Sequence, residues 1–576
     1  MVDFLKLKKN LKKDFSKFQI VKIAILGDNA TQLFAQALKG YGYEISINFD
    51  IFEADYNQID LQIFDRSSEF YKFKPEFAVL ACSSQKLLKK FYKLNDVQKA
   101  VFASEQINKI ESEVKTILDN HPCRVIYFNY TESDDNIYGN YSNKVKESWL
   151  YQIRKINLDL MNLSQDICNL FINDICSLQH QYGRRFVHDA KFYVNADMVF
   201  SVDSLPIIAK NVTDIVLAVN GKLKKCLILD LDNLLWGGVI GDDGVNGIEL
   251  GDLGIGKVFV ELQEWIKQLK DRGIILAVCS KNDEDNAKEP FEKHPDMVLK
   301  LDDIAVFVSN WENKSENIKH IQAVLNIGFD SMVFLDDNPF EREIVHSFIP
   351  DISIPDLPED PSEYLDFIKS CNFFETASHS SNDSNRTKQY QQEAKRKGIQ
   401  KNFANEDEFL ASLGMQSDVK EFDEFTIPRI AQLTQRSNQF NLRTIRYSED
   451  DIRRISESKD HHGLSFTLED KFGDYGLISV VILENRGKEL FVDTWIMSCR
   501  VLKRGVEKFV FNQVLKYAQT NGCQRIVGEY IPTAKNSIAK NLYEDLGFSC
   551  ESGYWYVDVK GSDMKANLIK HNVNCI

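Results

Sequence analysis

Residues 226–232 read CLILDLD, a short apolar run that ends in two aspartates. An apolar run followed directly by carboxylates predicts a buried strand with a polar carboxyl end. Similar segments follow at 274–280 (IILAVCS) and 331–337 (SMVFLDD), with helical patterns at about 257–271 and 314–326 between them. Strands that alternate with helices predict a parallel α/β sheet, and such sheets bind ligands at the carboxyl ends of their strands.

The two aspartates of the first strand, Asp230 and Asp232, are one residue apart. Where the chain leaves the strand, both can face a cleft if the turn breaks strict alternation. One carboxylate can then attack as a nucleophile while the other transfers a proton. Carboxylates this close repel each other unless a cation neutralises them, so we expect Mg²⁺ as the cofactor.

Three further polar elements occur in the order that a phosphate site requires. Ser280 ends the second strand, Lys314 opens a helix, and Asp336 and Asp337 end the third strand. The acids and Mg²⁺ would hold a phosphoryl group, and Ser280 and Lys314 would bind its oxygens. The alternative is that these residues are only solvated strand ends. The matching order of all the elements favours the phosphoryl site.

These residues resemble the haloacid dehalogenase (HAD) superfamily of phosphotransferases, and more closely its FkbH-like branch. The resemblance covers about residues 220–576 and is carried by LDLDNLLWGGVIGDDG, CSKNDE, NWENKSENI and FLDDNPFERE. It implies that Asp230 forms an aspartyl-phosphate and that Asp232 is the general acid and base. It also implies a phosphate-binding set of Ser280, Lys281 and Lys314. The implied Mg²⁺ ligands are Asp230, the main-chain carbonyl of Asp232, Asp336 and Asp337.

One position departs from the family pattern D-x-D-x-T, because Leu234 stands where the threonine is expected. The missing hydroxyl is expected to weaken the loop that orients Asp230. We therefore expect Leu234→Thr to raise, or at least not to lower, the phosphatase rate. The alternative is that Leu234 fills an apolar pocket, where an unpaired hydroxyl would be costly.

Glycines are dense in residues 237–256, which predicts a tight hairpin flap beside the site. Once this flap, a helix and a strand are placed, no room remains for a cap domain between Asp232 and Ser280. The interval from Ser280 to Lys314 is also too short for a cap. An open site of this kind can receive a group presented on a large partner, or a small substrate if another domain covers the cleft.

The first 215 residues contain strand patterns at 21–26, 77–81 and 124–129 with helical stretches between them, which predicts a doubly wound parallel sheet. The loop Gly27-Asp28-Asn29 resembles the first block of SGNH hydrolases. Asn29 stands at the position where those enzymes have their serine nucleophile. Asparagine cannot be an acyl nucleophile. We expect a degenerate α/β domain that serves packing or binding.

The last part of the chain has strand patterns at 477–483 and 490–496, a helix at 505–517, a strand at 525–530 and a helix at 536–546, an order typical of an α+β domain. It resembles the GCN5-related acetyltransferase (GNAT) fold, with NSIAKNLYEDLGF at 536–548 and a pyrophosphate-binding turn in which Lys503 replaces the first glycine. A docking surface for an acyl or pantetheine arm is favoured over an active acetyltransferase. The residues that the resemblance implies for coenzyme A or pantetheine are Arg500, Arg504, Gly505 and Asn536.

Two cysteines are candidate acyl carriers. FkbH-like proteins are known for taking glycerate from 1,3-bisphosphoglycerate onto a thiol and then onto an acyl carrier protein. Cys279 lies beside Ser280, and Cys499 lies beside the expected coenzyme turn. Neighbouring strand residues face opposite ways, however, so the favoured interpretation of Cys279 is a core residue.

The net charge of -15 excludes a basic field over the whole chain, so we expect no nucleic-acid partner. No apolar run reaches about 18 residues, so no membrane partner is expected. The Lys-rich residues 1–15 are interpreted as a surface helix, not a signal peptide. Eleven scattered cysteines without a C-x-x-C pair predict reduced thiols and a cytoplasmic location.

The predicted organisation has four segments: 1–215 (SGNH-like α/β), 216–370 (HAD-like phosphotransferase without a large cap), 371–420 (connecting helical segment) and 421–576 (GNAT-like α+β). The predicted function is that of a Mg²⁺-dependent phosphatase or phosphotransferase acting on a phosphorylated small molecule. By resemblance, it transfers a phosphoglycerate-derived glyceryl group to an acyl carrier protein. The alternatives are a simple phosphatase with flanking recognition domains and a non-catalytic scaffold.

Overall fold

A computed structural model describes residues 2–379, 386–400, 403 and 405–572. The chain forms two compact units, Met1–Leu217 and Ala218–Ile576. The first contains one sheet and the second contains two.

The first unit is built on a five-stranded parallel sheet in the order β2-β1-β3-β4-β5, which confirms the predicted parallel α/β fold. Its strands are β1 (Gln19–Gly27), β2 (Ile47–Glu53), β3 (Phe77–Ala81), β4 (Arg124–Phe128) and β5 (Leu170–Asn173). Its helices are α1 (Phe4–Asn10), α2 (Gln32–Glu44), α3 (Ile59–Phe64), α4 (Glu69–Phe73), α5 (Ser84–Phe91), α6 (Asp96–Asn120), α7 (Trp149–Asp166), α8 (Ile175–Tyr182), α9 (Arg184–Val187), α10 (Ala190–Ala196) and α11 (Leu205–Val219).

The second unit begins with a four-stranded parallel sheet in the order β8-β7-β6-β9. The strands are β6 (Cys226–Leu229), β7 (Ile275–Ser280), β8 (Ile304–Ser309) and β9 (Met332–Leu335). All residues of β6, β7 and β9 are buried, as their continuous apolar runs predict for a sheet covered on both faces. The helices of this part are α12 (Ile240–Asp243), α13 (Gly256–Asp271), α14 (Glu284–Lys293), α15 (Lys314–Leu325), α16 (Pro339–Phe348) and α17 (Tyr364–Cys371).

The glycine-rich segment forms a small excursion beside the sheet. Gly237 and Glu249 exchange both main-chain hydrogen bonds, at 3.0 and 2.8 Å, and α12 lies between them. The chain then enters α13 directly. Within the described residues 233–279, no cap domain intervenes between Asp232 and Ser280.

The remainder of the second unit is a mixed ten-stranded sheet, which confirms the predicted α+β class. Its strands are β10 (Gln416–Ser417), β11 (Val419–Glu421), β12 (Phe440–Asn441), β13 (His461–Asp470), β14 (Gly473–Arg486), β15 (Glu489–Met497), β16 (Arg525–Glu529), β17 (Ser549–Glu551), β18 (Tyr554–Asp558) and β19 (Lys570–His571). Its helices are α19 (Glu406–Ser412), α20 (Ile427–Arg436), α21 (Glu449–Glu457), α22 (Val506–Thr520) and α23 (Leu542–Asp545).

One helix connects the two sheets of the second unit. This helix, α18 (Arg386–Gln400), has a polar sequence, yet Tyr390 and Arg396 are buried. Gln391 Nε2 donates to the carbonyl of Ile304 in β8, and the Arg396 guanidinium lies against Asp470 of β13. Its polar side chains therefore bind both sheets, which the polar composition alone could not reveal.

None of the helices in the described part of the chain combines the length and apolar character needed to cross a lipid bilayer.

Candidate active site

Strand register brings the predicted nucleophile and one of the predicted metal ligands together. β6 and β9 are parallel neighbours with Leu229 opposite Leu335, so the next residues, Asp230 and Asp336, leave the sheet side by side. The main-chain N–H of Asp230 donates to Leu335 O at 3.0 Å. Asp230 is 6% exposed and Asp336 is completely buried. Two carboxylates thus share a site from which water is largely excluded.

Lys314 supplies the positive charge between these carboxylates. Asn313 caps α15 by accepting from Ser315 N, which places Lys314 at the first position of the helix. Lys314 Nζ lies 2.6 Å from Asp230 Oδ2 and 2.6 Å from Asp336 Oδ2. Burial opposes the ammonium charge, but the charges of Asp230 and Asp336 outweigh it and raise the pKa of Lys314.

The carboxylate cluster keeps an excess of negative charge. Burial and the charge of Asp230 raise the pKa of Asp336 to about 7, although Lys314 acts in the opposite direction. The same two causes raise the pKa of the half-buried Asp337. One oxygen from each of Asp230, Asp336 and Asp337 lies within 4.8 Å of the others. Three hard oxygen donors around one point, balanced by a single ammonium, fit a Mg²⁺ ion.

The turn after β9 is fixed by a buried arginine. Arg342 Nη1 donates to the carbonyls of Asp336 and Asp337, at 2.9 and 2.8 Å. Asn338 N donates to Asp336 Oδ1 at 2.9 Å. These bonds fix the main chain that carries both aspartates and orient the Asp336 carboxylate before any ion binds, which lowers the entropic cost of binding.

Asp232 is held by three donors from the surrounding loops. Trp236 Nε1 and Ile240 N donate to Asp232 Oδ1 at 2.9 and 3.0 Å, and Asn282 Nδ2 donates to Oδ2 at 2.8 Å. Sequence reasoning did not single out Trp236 or Asn282, although both lie inside the quoted segments LDLDNLLWGGVIGDDG and CSKNDE. Both are positioning residues for the expected general acid and base.

The three residues expected to bind phosphate have different surroundings. Ser280 is buried at the carboxyl end of β7, and its Oγ accepts from Asn282 Nδ2 at 3.3 Å. Lys314 contacts Asp230, the expected nucleophile, as described above. Lys281 Nζ instead forms a 2.6 Å ion pair with the buried Glu341. This ion pair argues against the expected phosphate role of Lys281. If Lys281 moved to bind phosphate, the buried Glu341 carboxylate would have no cationic partner, which is costly.

The structure corrects the expectation for Leu234. Its side chain has no exposed surface and packs in the apolar cluster that includes Leu229, Leu235 and Trp236. A threonine hydroxyl would enter this cluster and not the phosphate cleft. Leu234 therefore supports the nucleophile loop by packing.

Cys279 also faces the core. It is fully buried with Cys226 and Ile228, and its Sγ lies 3.8 Å from the carbonyl of Lys314. Burial raises the pKa of its thiol, which opposes formation of the reactive thiolate. These observations argue against Cys279 as the acyl thiol and agree with the alternation expected along a strand.

In the ten-stranded sheet, the ends of two adjacent strands diverge. Pairing between β15 and β16 ends at Val492 and Gly528. Strand β12 pairs with the end of β15 instead. The next residue, Leu442, bridges the two diverging strands: its N–H donates to Trp495 O in β15, and its carbonyl accepts from Ile531 N, which follows β16. The gap between the diverging strands is thus filled by residues 440–442.

The residues expected to bind coenzyme are engaged within the chain. Arg500 binds Gln389 and Ser498, and Arg504 Nη2 forms a 2.7 Å ion pair with Glu393. Gly505 caps α22 with φ of +76°, a conformation that favours glycine.

Asn536, the fourth of these residues, is completely buried, and its Nδ2 donates to the carbonyls of Asn441 and Ile531. With the gap filled, these contacts argue against coenzyme roles for Arg500, Arg504 and Asn536.

The first unit has its own polar residues at the carboxyl edge of the sheet. Asn29 follows β1 and is buried, and its Nδ2 donates to Ala81 O at 2.8 Å, a structural contact. Separately, Glu132, Cys176 and His180 place one ligand atom each within 4.8 Å of one another. The Glu132 carboxylate is already paired with Arg154 at 2.9 Å, and we assign no ion to this cluster.

Comparison with known proteins gives one family and several solved structures. The family model for the FkbH N-terminal domain matches residues 22–217. A crystal structure of the N-terminal part of the protein BF1531 from Bacteroides fragilis, containing a phosphatase domain complexed with Mg, is 50% identical to this chain. That match covers 66% of this chain and 100% of the other, with a TM-score of 0.64. No curated protein matches the chain significantly.

Two acetyltransferase structures also match the chain. The ribosomal-protein-S18-alanine N-acetyltransferase from Escherichia coli is 13% identical, with 26% of this chain and 99% of that chain covered and a TM-score of 0.21. The GNAT domain of S. lividans PAT is 19% identical, with 24% of this chain and 89% of that chain covered and a TM-score of 0.20.

Proposed function

Because this chain belongs to the FkbH-like family of haloacid dehalogenase-type phosphatases, we propose that it transfers phosphoryl groups through an aspartyl-phosphate formed on Asp230. The observation that carries this proposal is the buried cluster of Asp230, Asp336 and Asp337, neutralised in part by Lys314. Buried like charges repel, so such a cluster lowers the stability of the folded protein. A cluster of this kind therefore indicates a functional site.

In the first step, an oxygen of Asp230 attacks the phosphorus of the substrate. The bond from phosphorus to the leaving oxygen breaks, and protonated Asp232 donates its proton to that oxygen. In the second step, Asp232 takes a proton from water, and the resulting hydroxide attacks the phosphorus. The bond to Asp230 then breaks and phosphate leaves, so both aspartates return to their starting states.

Mg²⁺ held by Asp230, Asp336 and Asp337 would neutralise the charge on the transferring phosphoryl oxygens. The relative crystallised with Mg supports this cofactor. Ser280 and Lys314 lie at the same edge of the sheet and can bind the remaining phosphoryl oxygens. Trp236, Ile240 and Asn282 keep the Asp232 carboxylate oriented during the proton transfers.

The finer function that we propose is transfer of a glyceryl group from a phosphorylated three-carbon acid to an acyl carrier protein. The carrier thiol would attack the acyl phosphate, so a thioester forms and phosphate leaves. The phosphatase site would remove the remaining phosphate ester. Absence of a cap over the described residues 233–279 supports a large acceptor.

Exposed aromatic residues near the site also support a protein partner. Trp311 precedes Lys314 in the same loop and is 75% exposed, and Phe340 follows Asp337 and is 68% exposed. Large apolar side chains in this position suit protein contact more than water. Since Cys279 is buried, the proposal routes the acyl group directly to the carrier thiol.

Incubation with 1,3-bisphosphoglycerate, Mg²⁺ and candidate carrier proteins, followed by intact-mass analysis, tests both levels of this proposal. Wild-type protein should yield a glyceryl carrier, and Asp230→Asn should stop at the phosphoglyceryl carrier. Phosphate release from a generic phosphoester without any carrier adduct would indicate a simple phosphatase. No phosphate release and no adduct would indicate a scaffold.

A further inference from the structure

A cavity of about 210 Å³ lies between the two sheets of the second unit. On one side it is lined by Lys225, Asn326 and Ser331, at the amino ends of the parallel strands. Asp230 lies at the other end of β6. Since a strand rises about 3.3 Å per residue, the cavity and the phosphatase site are about 16 Å apart along β6.

Basic side chains outnumber acidic ones among the described residues that line this cavity. Among its lining residues in the described part of the chain, Asp330 is the one acid, and it forms an ion pair with Lys535. The lining cations are Lys225, Arg386, Arg429, Arg436, Arg500 and Lys535.

Two of these cations bind uncharged acceptors. Lys225 Nζ donates to the main-chain carbonyl of Arg436 at 2.9 Å. Arg500 donates to Ser498 Oγ at 3.1 Å and to the side-chain amide of Gln389. Because these acceptors carry no charge, the hydrogen bonds do not neutralise Lys225 or Arg500.

The electrostatics of Lys225 agree with this picture. Burial, together with the charges of Arg386, Lys535 and Arg436, lowers the pKa of Lys225 to about 8 against the opposite influence of Cys499. An ammonium whose charge is disfavoured by burial and by neighbouring cations is stabilised when an anion binds beside it.

We propose that this cavity is a second anion site, which binds a compact phosphorylated molecule at the back of the phosphatase sheet. Guanidinium groups and an ammonium are the usual partners of phosphate oxygens, and Ser437 and Ser498 add hydroxyl donors. Its volume is below the roughly 300–1,000 Å³ of pockets that enclose drug-sized ligands. The occupant is therefore smaller than a nucleotide cofactor.

Isothermal titration of the full-length protein with inorganic phosphate, in EDTA and at constant ionic strength, tests the proposal. EDTA removes Mg²⁺, so the acidic phosphatase cluster repels phosphate. We expect Lys225→Met to weaken phosphate binding by about tenfold or more, because a partly buried charge acts strongly at short range. Lys535→Gln should weaken binding less, because that side chain is 36% exposed and paired with Asp330.

Matched variants locate the bound ion. Lys516→Gln, an exposed lysine on α22, should bind phosphate as wild type does. Lys314→Met removes the cation of the phosphatase site, and a thermal melt in the same EDTA buffer first checks that this variant is folded at the titration temperature. The folded variant should bind phosphate with the wild-type affinity. Two results would overturn the proposal. One is loss of phosphate binding in Lys314→Met while Lys225→Met and Lys535→Gln still bind. The other is that the wild-type protein does not bind phosphate.

A ligand series tests the predicted size of the occupant. Glycerol 3-phosphate and AMP are compared with inorganic phosphate by the rise in melting temperature, which follows ligand occupancy. Glycerol 3-phosphate should raise the melting temperature of the wild-type protein and of Lys516→Gln by the same amount. It should raise that of Lys535→Gln by less. Equal or greater stabilisation by AMP would contradict the size limit.

Discussion

Lys314 Nζ lies 2.6 Å from Asp230 Oδ2, with side-chain exposures of 3% and 9%. The same ammonium is also 2.6 Å from Asp336, so one cation serves two buried carboxylates. The expected nucleophile is thus held in place by a residue that follows a different strand. The predictions below depend on this arrangement.

Asp230→Asn should abolish phosphate release, with a rate loss of more than about a thousandfold, because an amide cannot form the aspartyl-phosphate. The melting temperature should stay equal or rise, since one member of a repelling carboxylate cluster is neutralised. Phosphate release and a thermal melt are measured on the same preparations. Activity close to that of wild type would disprove the nucleophile assignment.

The double variant Asp336→Ala, Asp337→Ala should lose Mg²⁺ affinity and Mg²⁺-dependent activity, because two of the three hard oxygen donors are removed. Titration calorimetry with Mg²⁺ and Mn²⁺ measures the affinity. Asp351→Ala, which removes an exposed acid away from the cluster, is the control. Unchanged affinity in the double variant would show that the ion binds elsewhere.

Leu234→Thr should lower the free energy of unfolding by about 1–3 kcal/mol, because the hydroxyl would be buried among apolar side chains without a partner. Leu234→Val is the matched control, since valine has the shape of threonine without the hydroxyl. Urea unfolding of both variants isolates the cost of the hydroxyl. Equal stability of the two variants, with faster phosphate release by Leu234→Thr than by Leu234→Val, would contradict this prediction. It would show that the threonine hydroxyl forms a hydrogen bond in the loop that carries Asp230.

Lys314→Met should lower the free energy of unfolding in EDTA by about 3–5 kcal/mol, because it leaves the buried carboxylates without their cation. Mg²⁺ should restore part of this loss by supplying positive charge at the same cluster. Melts with EDTA and with Mg²⁺ provide the comparison, and wild-type protein should show the smaller Mg²⁺ effect. An equal Mg²⁺ effect in both proteins would argue against a shared cluster.

Cys279→Ala should retain both phosphate release and any acylation of the carrier, because the thiol is buried in the core and its pKa is raised. Intact-mass analysis of the carrier gives the readout. A folded Cys279→Ala protein that releases phosphate but no longer acylates the carrier would restore the thiol role.

Much of the fold was predictable because it depends on local patterns of apolar and polar residues. The apolar runs before Asp230, Ser280 and Asp336 predicted three neighbouring parallel strands, and their polar ends meet at one edge. Helix ends were less predictable. The helix expected at 536–546 is a 3-10 turn followed by the short helix α23, because the buried side chain of Asn536 is used in tertiary hydrogen bonds.

By itself, the sequence determined the parallel sheet, the polar edge and the set of acids at that edge, because each depends on residues close together in the chain. Only the tertiary structure decided that Lys281 pairs with Glu341, sixty residues away, and that Leu234 is core. Only it showed that residues 440–442 fill the gap beside β15. These outcomes depend on distant segments competing for the same partners and the same space, which no local pattern records.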